Sequence, residues 1–150
     1  MQDLNTLEKN IGYKYNDQSL LKLALTHPSY ANEHNINKFL TNQRLEFLGD
    51  AILEFISSDF LYKYYKEADE GHLTKVRASL VCEKNLAEIA RKLEFNKYLF
   101  LGNGEDAESI GNNDSVMCDT IEAIIGSIYI DSNIDNAKDF INKIFCIINI

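Results

Sequence analysis

Four acidic side chains stand in two segments that are otherwise apolar. Glu46 and Asp50 lie four residues apart within LEFLGDAIL, and Asp119 and Glu122 lie three apart, just before the uncharged run AIIGSIYI. Residues three or four apart share one face of a helix. Because burying an unpaired carboxylate costs several kcal/mol even after relaxation, each of these faces needs a compensating group.

A hard divalent cation is the compensation that this residue set favours. Arg44 is a nearby cation, but one guanidinium cannot neutralise four carboxylates. Mg2+ prefers oxygen ligands and is held by few carboxylates, whereas the Glu-x-x-His pattern of di-iron bundles is absent from both segments. Alternatives stay open here: either acid pair alone is common on a solvated helix face, and Asp119 could favour a helix start. Spacing alone does not show that the helices meet.

Apolar periodicity predicts that two helices position these acids. One runs from near Asn42 to about Tyr65, and the other is capped by Asp114 or Ser115 and runs to about Tyr129. Further helices are predicted at 4–11, after a cap at 16 or 17, around 73–81, at 83–93 and at 135–150, with loops or turns at 31–40, 67–71 and 101–114. No segment shows sustained alternation, so the fold class is expected to be all-α.

Size and charge limit the possible functions. The 150 residues suit one domain, and the formal net charge of −8 counts against a simple electrostatic grip on nucleic acid. Any such function would need a local basic surface, metal ions or another domain. The chain has no apolar run long enough to span a membrane and no secretory signal, so we expect a cytoplasmic protein. Its three cysteines form no CxxC pair and are expected to be reduced, small apolar residues.

One segment resembles the signature of the ribonuclease III family. NQRLEFLGDAILEFISSDFLY is similar to the family's NERLEFLGDAVL, and eight of the nine residues of NQRLEFLGD agree. Other family patterns follow in order along nearly the whole chain. LALTHPSYANE resembles LTHxSYxxE, EGHLTKVRASLVCEKNLAEIA resembles EGxLSxLRAxLVxxxxLAxIA, LGNGE precedes a variable loop, and DSVMCDTIEAIIGSIYID resembles DSILADxFEALIGAIYLD.

The resemblance implies a fold and an activity. Residues 1–150 are expected to form one ribonuclease III nuclease domain, with no double-stranded-RNA-binding domain in this chain. The implied activity is hydrolysis of double-stranded RNA with Mg2+, for which Mn2+ is expected to substitute, leaving 5′-phosphate and 3′-hydroxyl ends and a short 3′ overhang. Processing of ribosomal and messenger RNA, a homodimer, and the absence of a membrane partner and of an organic cofactor are also implied.

The resemblance also assigns site residues. Glu46, Asp119 and Glu122 match the family's metal ligands, and Asp50 and Glu122 match the residues usually called catalytic, so all four are expected in the active site. Glu70 matches a further acid near the family's cleft. Gln43 departs from the pattern, because the family usually has glutamate there, and the loss of this charge bears on a second metal or on catalytic efficiency.

Other positions and one other function stay open. Phe47 and Leu48 lie beside the acids and belong either to a dimer surface or to the core. Lys75 and Arg77 are candidates for phosphate contacts or are ordinary solvated charges, and Glu54 is expected to be solvated. The alternative function is that of a catalytically silent family member that binds RNA or serves as a scaffold. Loss of the acids would mark such a protein, and four of the usual five are present here.

Overall fold

The computed structural model describes residues 3–147, and this range contains no β-strand. The helices of this range are α1 Leu4–Ile11, α2 Gln18–Ala24, α3 Pro28–Glu33, α4 Gln43–Tyr64, α5 Glu70–Leu80, α6 Glu83–Lys92, a 3-10 helix Phe95–Tyr98, α7 Ala107–Gly111, α8 Asp114–Asp131 and α9 Ile134–Ile147. One isolated parallel bridge joins Thr26 to Phe100. The all-α prediction is confirmed.

Capping residues explain where the main helices begin. The side chain of Asp17 caps α2 as predicted, and Asn42 precedes α4, the long helix with the first acid pair. Asn113 caps α8 by accepting a hydrogen bond from the main-chain nitrogen of Val116 at 3.1 Å. This cap lies one residue before the predicted Asp114, because an Asn side chain satisfies an otherwise unpaired N–H of the first turn equally well.

Predicted loops and turns contain three helical segments. Helix α3 begins at Pro28 and extends into the predicted loop 31–40, because proline suits the first turn of a helix. Helix α7, capped by Asp106, lies in the predicted loop 101–114. Helix α5, capped by Asp69, begins in the predicted turn 67–71. The first two helices are too short for an apolar repeat to reveal them. The predicted end of the last helix, Ile150, lies outside the described residues.

Helix α8 forms the centre of the domain, and α2, α4, α6 and α9 pack around it. All its side chains from Met117 to Ile128 are buried except that of Asp119, which is partly exposed. Although α8 is strongly apolar, no helix of the described range has the length and apolar character needed to cross a membrane. The apolar burial of α8 fixes the position of its two acids.

Candidate active site

Two glycines allow the main chains of α4 and α8 to touch. A Cβ atom at Gly49 would lie 1.7 Å from the carbonyl oxygen of Glu122, and one at Gly126 would lie 2.4 Å from the carbonyl oxygen of Leu45. Both distances are shorter than a Cβ atom tolerates, so any side chain here would push a main chain aside. The close crossing places the acid-bearing part of α4 against that of α8.

Three carboxylates converge at this crossing. Glu46 from α4 and Asp119 and Glu122 from α8 each place one carboxylate oxygen so that these atoms lie within 4.8 Å of one another. Glu122 is buried, while Glu46 and Asp119 are partly exposed. Spacing in the sequence left open whether the two helices meet, and the structure brings the two acid pairs together.

Asp50 completes the group from the solvent side. It lies close enough to Glu122 to raise the pKa of that carboxyl group but is itself exposed. The expectation that all four acids share an apolar, buried setting is therefore wrong for Asp50. The reason is helical geometry: Asp50 is rotated by about 100° from Gly49, which faces α8. Asp50 can thus contact both Glu122 and water.

Burial and mutual repulsion raise the pKa values of these acids. The pKa of Glu122 is raised to about 8, first by burial and then by the hydrogen bond to Asp50. Burial, followed by the charge of Glu46, raises the pKa of Asp119 to about 6. The pKa of Glu46 is also raised, by burial and by the charge of Asp50. The cluster therefore lacks compensating positive charge.

Among the described residues, no basic side chain forms an ion pair with the cluster. Within residues 3–147 the ion pairs are Asp59–Lys63, Glu54–Arg77, Asp114–Arg91 and Glu94–Lys97, and none includes an acid of the cluster. Arg44, which the sequence offered as a nearby cation, is exposed on the first turn of α4 and forms no ion pair in this range. Oxygen-only ligands without a basic partner suit a hard divalent cation.

Two positions matched to the family lie outside this three-carboxylate group. Glu70 begins α5, is exposed and accepts a hydrogen bond from the hydroxyl of Thr74 at 3.0 Å. Gln43 is the first residue of α4, one turn before Glu46, and is also exposed. Neither side chain belongs to the convergent set found among the described residues.

The two basic residues named as candidates for phosphate contacts differ in their surroundings. Lys75 is exposed on α5. Arg77 binds α4 instead, with its Nε 3.2 Å from Glu54 and its guanidinium donating to the hydroxyl of Ser58 at 3.0 Å. Glu54, expected to be solvated, is thus a partner of Arg77, because the two helices pack side by side. Of the two cations, Lys75 is the one that stays available.

The side chains of Phe47 and Leu48 also differ in how far they are exposed. Phe47 is 78% exposed, although it lies next to Glu46 on the long helix. Leu48 is partly buried and packs against the hydrophobic core. The sequence left open whether these two residues belong to the core or to a surface. Leu48 is a core residue of the domain, and Phe47 is an exposed aromatic side chain.

Sequence reasoning overlooked three residues of this site. Gly49 and Gly126 bring the main chains together, and the available signal was a glycine within each apolar helix, which often marks a close approach. Cys118 was interpreted only as a small apolar residue, yet its thiol donates a hydrogen bond to Glu122 at 3.1 Å. Its spacing of four residues from Glu122 was the signal, since such residues are neighbours on a helix.

Comparison with known proteins gives consistent matches. The Ribonuclease-III-like family model matches residues 17–147. Ribonuclease 3 of Oceanobacillus iheyensis is 44% identical over 140 residues, which is 93% of this chain and 61% of that protein. Ribonuclease 3 of Fusobacterium nucleatum is 46% identical over 140 residues, covering 93% of this chain and 60% of that protein. The chain thus spans about three fifths of the length of these relatives.

A solved structure extends the agreement to the fold. The nuclease domain of ribonuclease III from Campylobacter jejuni superposes with a TM-score of 0.85 at 34% identity, covering 96% of this chain and 94% of that one. Dicer from Pichia stipitis superposes with a TM-score of 0.63 at 28% identity, covering 87% and 55%. With the family model matching most of the chain, these findings show that the protein belongs to the ribonuclease-III-like family and has the fold of its nuclease domain.

Proposed function

We propose that this protein is an endoribonuclease that hydrolyses double-stranded RNA with a divalent cation. The observation that carries the proposal is the convergence of Glu46, Asp119 and Glu122 at the α4–α8 crossing, with carboxylate oxygens within 4.8 Å of one another. Membership of the ribonuclease-III-like family supports the substrate class. We also propose RNA processing, of ribosomal and messenger RNA, as the biological role.

The ligand atoms that the cluster offers are of the kind that a divalent cation binds. Glu46, Asp119 and Glu122 offer only oxygen, and their raised pKa values reflect a need for positive charge. These three residues would hold Mg2+, for which Mn2+ would substitute because it too suits carboxylate oxygen. When bound, such a cation polarises a phosphate oxygen and lowers the pKa of a water molecule that it holds.

The side chains have distinct roles in this proposal. Glu122, buried on α8, would hold the cation from the protein side. Asp50 is exposed and lies beside Glu122, so it would orient the water that attacks the phosphorus. Cleavage of the P–O3′ bond then leaves a 5′-phosphate and a 3′-hydroxyl. Lys75, exposed on α5, is available for a phosphate of the substrate.

A homodimer suits a duplex substrate. Each subunit would cut one strand, which gives staggered ends with a short 3′ overhang. Phe47 is 78% exposed beside the acid cluster, and such an exposed aromatic residue suits an interface. We propose that a second copy covers Phe47. Sedimentation of the parent should give a dimer at micromolar concentration, and Phe47→Ser should shift it toward monomer. A parent that sediments only as monomer would exclude the dimer.

The alternative is a catalytically silent family member that binds RNA. Such a protein has no need for convergent carboxylates, which raise the energy of the folded state when no cation is present. Retention of all four acids around one crossing therefore favours the enzyme. A cytoplasmic location stays a prediction.

Glu122→Gln tests the activity directly. Cleavage of a long RNA duplex is measured across a Mg2+ titration, with the single-stranded RNA and the matching DNA duplex as substrate controls. The parent should cut only the RNA duplex, and only when Mg2+ or Mn2+ is present. Glu122→Gln should reduce cleavage to background while preserving helical content and RNA binding, because an amide cannot supply the charge that holds Mg2+.

Glu88→Gln is the matched control, since Glu88 is exposed on α6 away from the cluster. It should cut as the parent does. If Glu122→Gln cuts as fast as the parent at limiting Mg2+, then Glu122 is not a ligand. If the parent itself binds the duplex but never cuts it at any Mg2+ concentration, the silent alternative is correct.

A further inference from the structure

Cys118 contacts the acid cluster from within α8. Its Sγ lies 3.1 Å from Oε1 of Glu122, within hydrogen-bond distance for a thiol donor. Both residues are buried, with 8% and 5% of their surface exposed. They are four residues apart, so they are neighbours on one helix face. The thiol is therefore shielded from water and directed at a carboxylate of the proposed site.

Other side-chain donors of α8 behave differently. The hydroxyls of Thr120 and Ser127 within α8, and that of Ser132 at its C-terminal cap, donate to main-chain carbonyls of this helix, which is the usual arrangement for short polar side chains in helices. The Ser127 hydroxyl also pairs with the hydroxyl of Tyr15 at 2.7 Å. Cys118 instead donates to a side chain. Its thiol thus contributes to the orientation of Glu122 and not to the helix main chain.

Glu122 has few other means of orientation. In the described part of the chain its polar side-chain partners are the thiol of Cys118 and the carboxylate of Asp50. Two carboxylates attract each other only when they share a proton or a cation. The thiol is therefore the one of these partners that can hold an ionised Glu122 in place by itself.

We propose that Cys118 is a positioning residue, whose thiol holds the carboxylate of Glu122 in the orientation that binds the divalent cation. The inference rests on the proposed function, because it concerns the same metal site. A single hydrogen bond to Oε1 leaves the remaining lone pairs of the carboxylate free for a cation. The family's pattern has alanine at this position, so the thiol strengthens a site that the carboxylates already define.

Cation affinity provides the test, measured by calorimetric titration of the full chain with Mg2+ and with Mn2+. Partners of metal ligands affect affinity by about 10- to 100-fold, and a thiol is a weak donor, so Cys118→Ala should weaken binding by about three- to tenfold. Cys118→Ser should restore affinity in part, because its hydroxyl can donate either to the same carboxylate or to a main-chain carbonyl of its own helix. Cys82→Ala, which changes an exposed cysteine, should leave affinity unchanged.

A spectroscopic readout separates positioning from packing. In a Cys82→Ser/Cys146→Ser background, the S–H stretching band reports on Cys118 alone, and it should shift when Mg2+ binds. A packing role predicts that Ser fails to restore affinity, since a buried hydroxyl packs no better than alanine. Failure of rescue together with an unmoved S–H band overturns the inference.

Glu122→Gln distinguishes this inference from the proposed function. If Glu122→Gln loses Mg2+ while Cys118→Ala binds it as tightly as the parent does, the metal site stands and the role of Cys118 is excluded. If Glu122→Gln binds Mg2+ as the parent does, the metal site itself is wrong, and the role of Cys118 is excluded with it. Thermal unfolding of each variant verifies that it is folded.

Discussion

The middle and the last turn of α8 place their carboxylates in opposite environments. Around Glu122 the neighbours are acids and one thiol, and the pKa is raised to about 8. Asp131, at the last turn, accepts hydrogen bonds from the Tyr13 hydroxyl at 2.5 Å and from the main-chain nitrogens of Asn16 and Asp17 at 2.8 Å. Burial alone would raise the pKa of Asp131, but these bonds outweigh it and lower the pKa.

This difference separates a structural acid from a site acid. Asp131 joins the end of α8 to the segment between α1 and α2, and the protein supplies every donor that its carboxylate needs. The carboxyl group of Glu122 needs a charge that the described part of the chain does not supply. An acid whose hydrogen bonds stabilise its charged form therefore points to stability, whereas a cluster of acids that lacks a compensating positive charge points to a ligand.

The largest effect should come from the glycine contact beside Glu122, which has no counterpart at Asp131 among the contacts of the described glycines. Gly49→Ala would place a methyl group against the carbonyl of Glu122. We expect a loss of about 3 kcal/mol or more of unfolding free energy, because a main chain must move. Denaturant unfolding measures this loss. Gly104→Ala is the control, since no atom lies within 4 Å of its added Cβ, and equal stability of the two variants would refute the contact.

Glu122 and Asp131 should contribute to the pH dependence of stability with opposite signs. Glu122 has an ordinary pKa of about 4.5 and a folded value of about 8. Its ionisation therefore costs stability progressively as pH rises through this interval, by on the order of 1 to 3 kcal/mol. We expect the melting temperature of metal-free parent to fall from pH 5 to pH 8 by more than that of Glu122→Gln.

Mg2+ should restore that loss in the parent, because a ligand that binds only the folded state stabilises it. Thermal unfolding in EDTA and in Mg2+ gives the melting temperature as a function of pH without and with the cation. Parallel curves for the parent and Glu122→Gln would contradict the assignment of the raised pKa to Glu122.

Asp131→Asn should have a smaller effect, on stability alone. The variant keeps the shape of the side chain but weakens three charge-assisted hydrogen bonds. We expect a loss of about 1 to 2 kcal/mol, limited because the carboxylate is partly exposed and water replaces some of the interaction. The lowered pKa means that the parent's advantage is present above the ordinary value of 3.8 and disappears as pH falls through the folded value. Cleavage by this variant should match the parent, and a cleavage defect without unfolding would refute the structural assignment.

The smallest effect, on Mg2+ affinity, is expected at Gln43, one turn before Glu46. Gln43→Glu restores the charge of the family pattern at an exposed position. We expect tighter Mg2+ binding by about twofold to threefold, which is less than about 1 kcal/mol, because solvent screens an exposed charge. The measurement is a Mg2+ titration at low ionic strength, repeated at high salt, where the gain should shrink. If the gain in Mg2+ affinity is the same at low and at high salt, the added carboxylate does not act by electrostatic attraction of the cation.

Sequence patterns predicted the main helices and the two acid pairs because both depend on local spacing. Apolar periodicity located α4 and α8, and the resemblance assigned Glu46, Asp50, Asp119 and Glu122. The exposure of Asp50 and the pairing of Arg77 with Glu54 were missed, because both depend on how separate helices pack. Helix α7 was missed since its five residues are too few for a periodic signal. The direction of the Cys118 thiol depends on a side-chain rotamer, which spacing does not specify.

The continuous burial of α8 has a consequence for local opening. Every side chain from Thr120 to Ile128 is buried, so the main-chain amides of this stretch can exchange hydrogen with solvent only when the surrounding helices separate. These amides should therefore be among the slowest to exchange, at rates close to that of global unfolding. Glu122 lies inside this stretch, so thermal fluctuations that fray the helix ends leave its main chain in place.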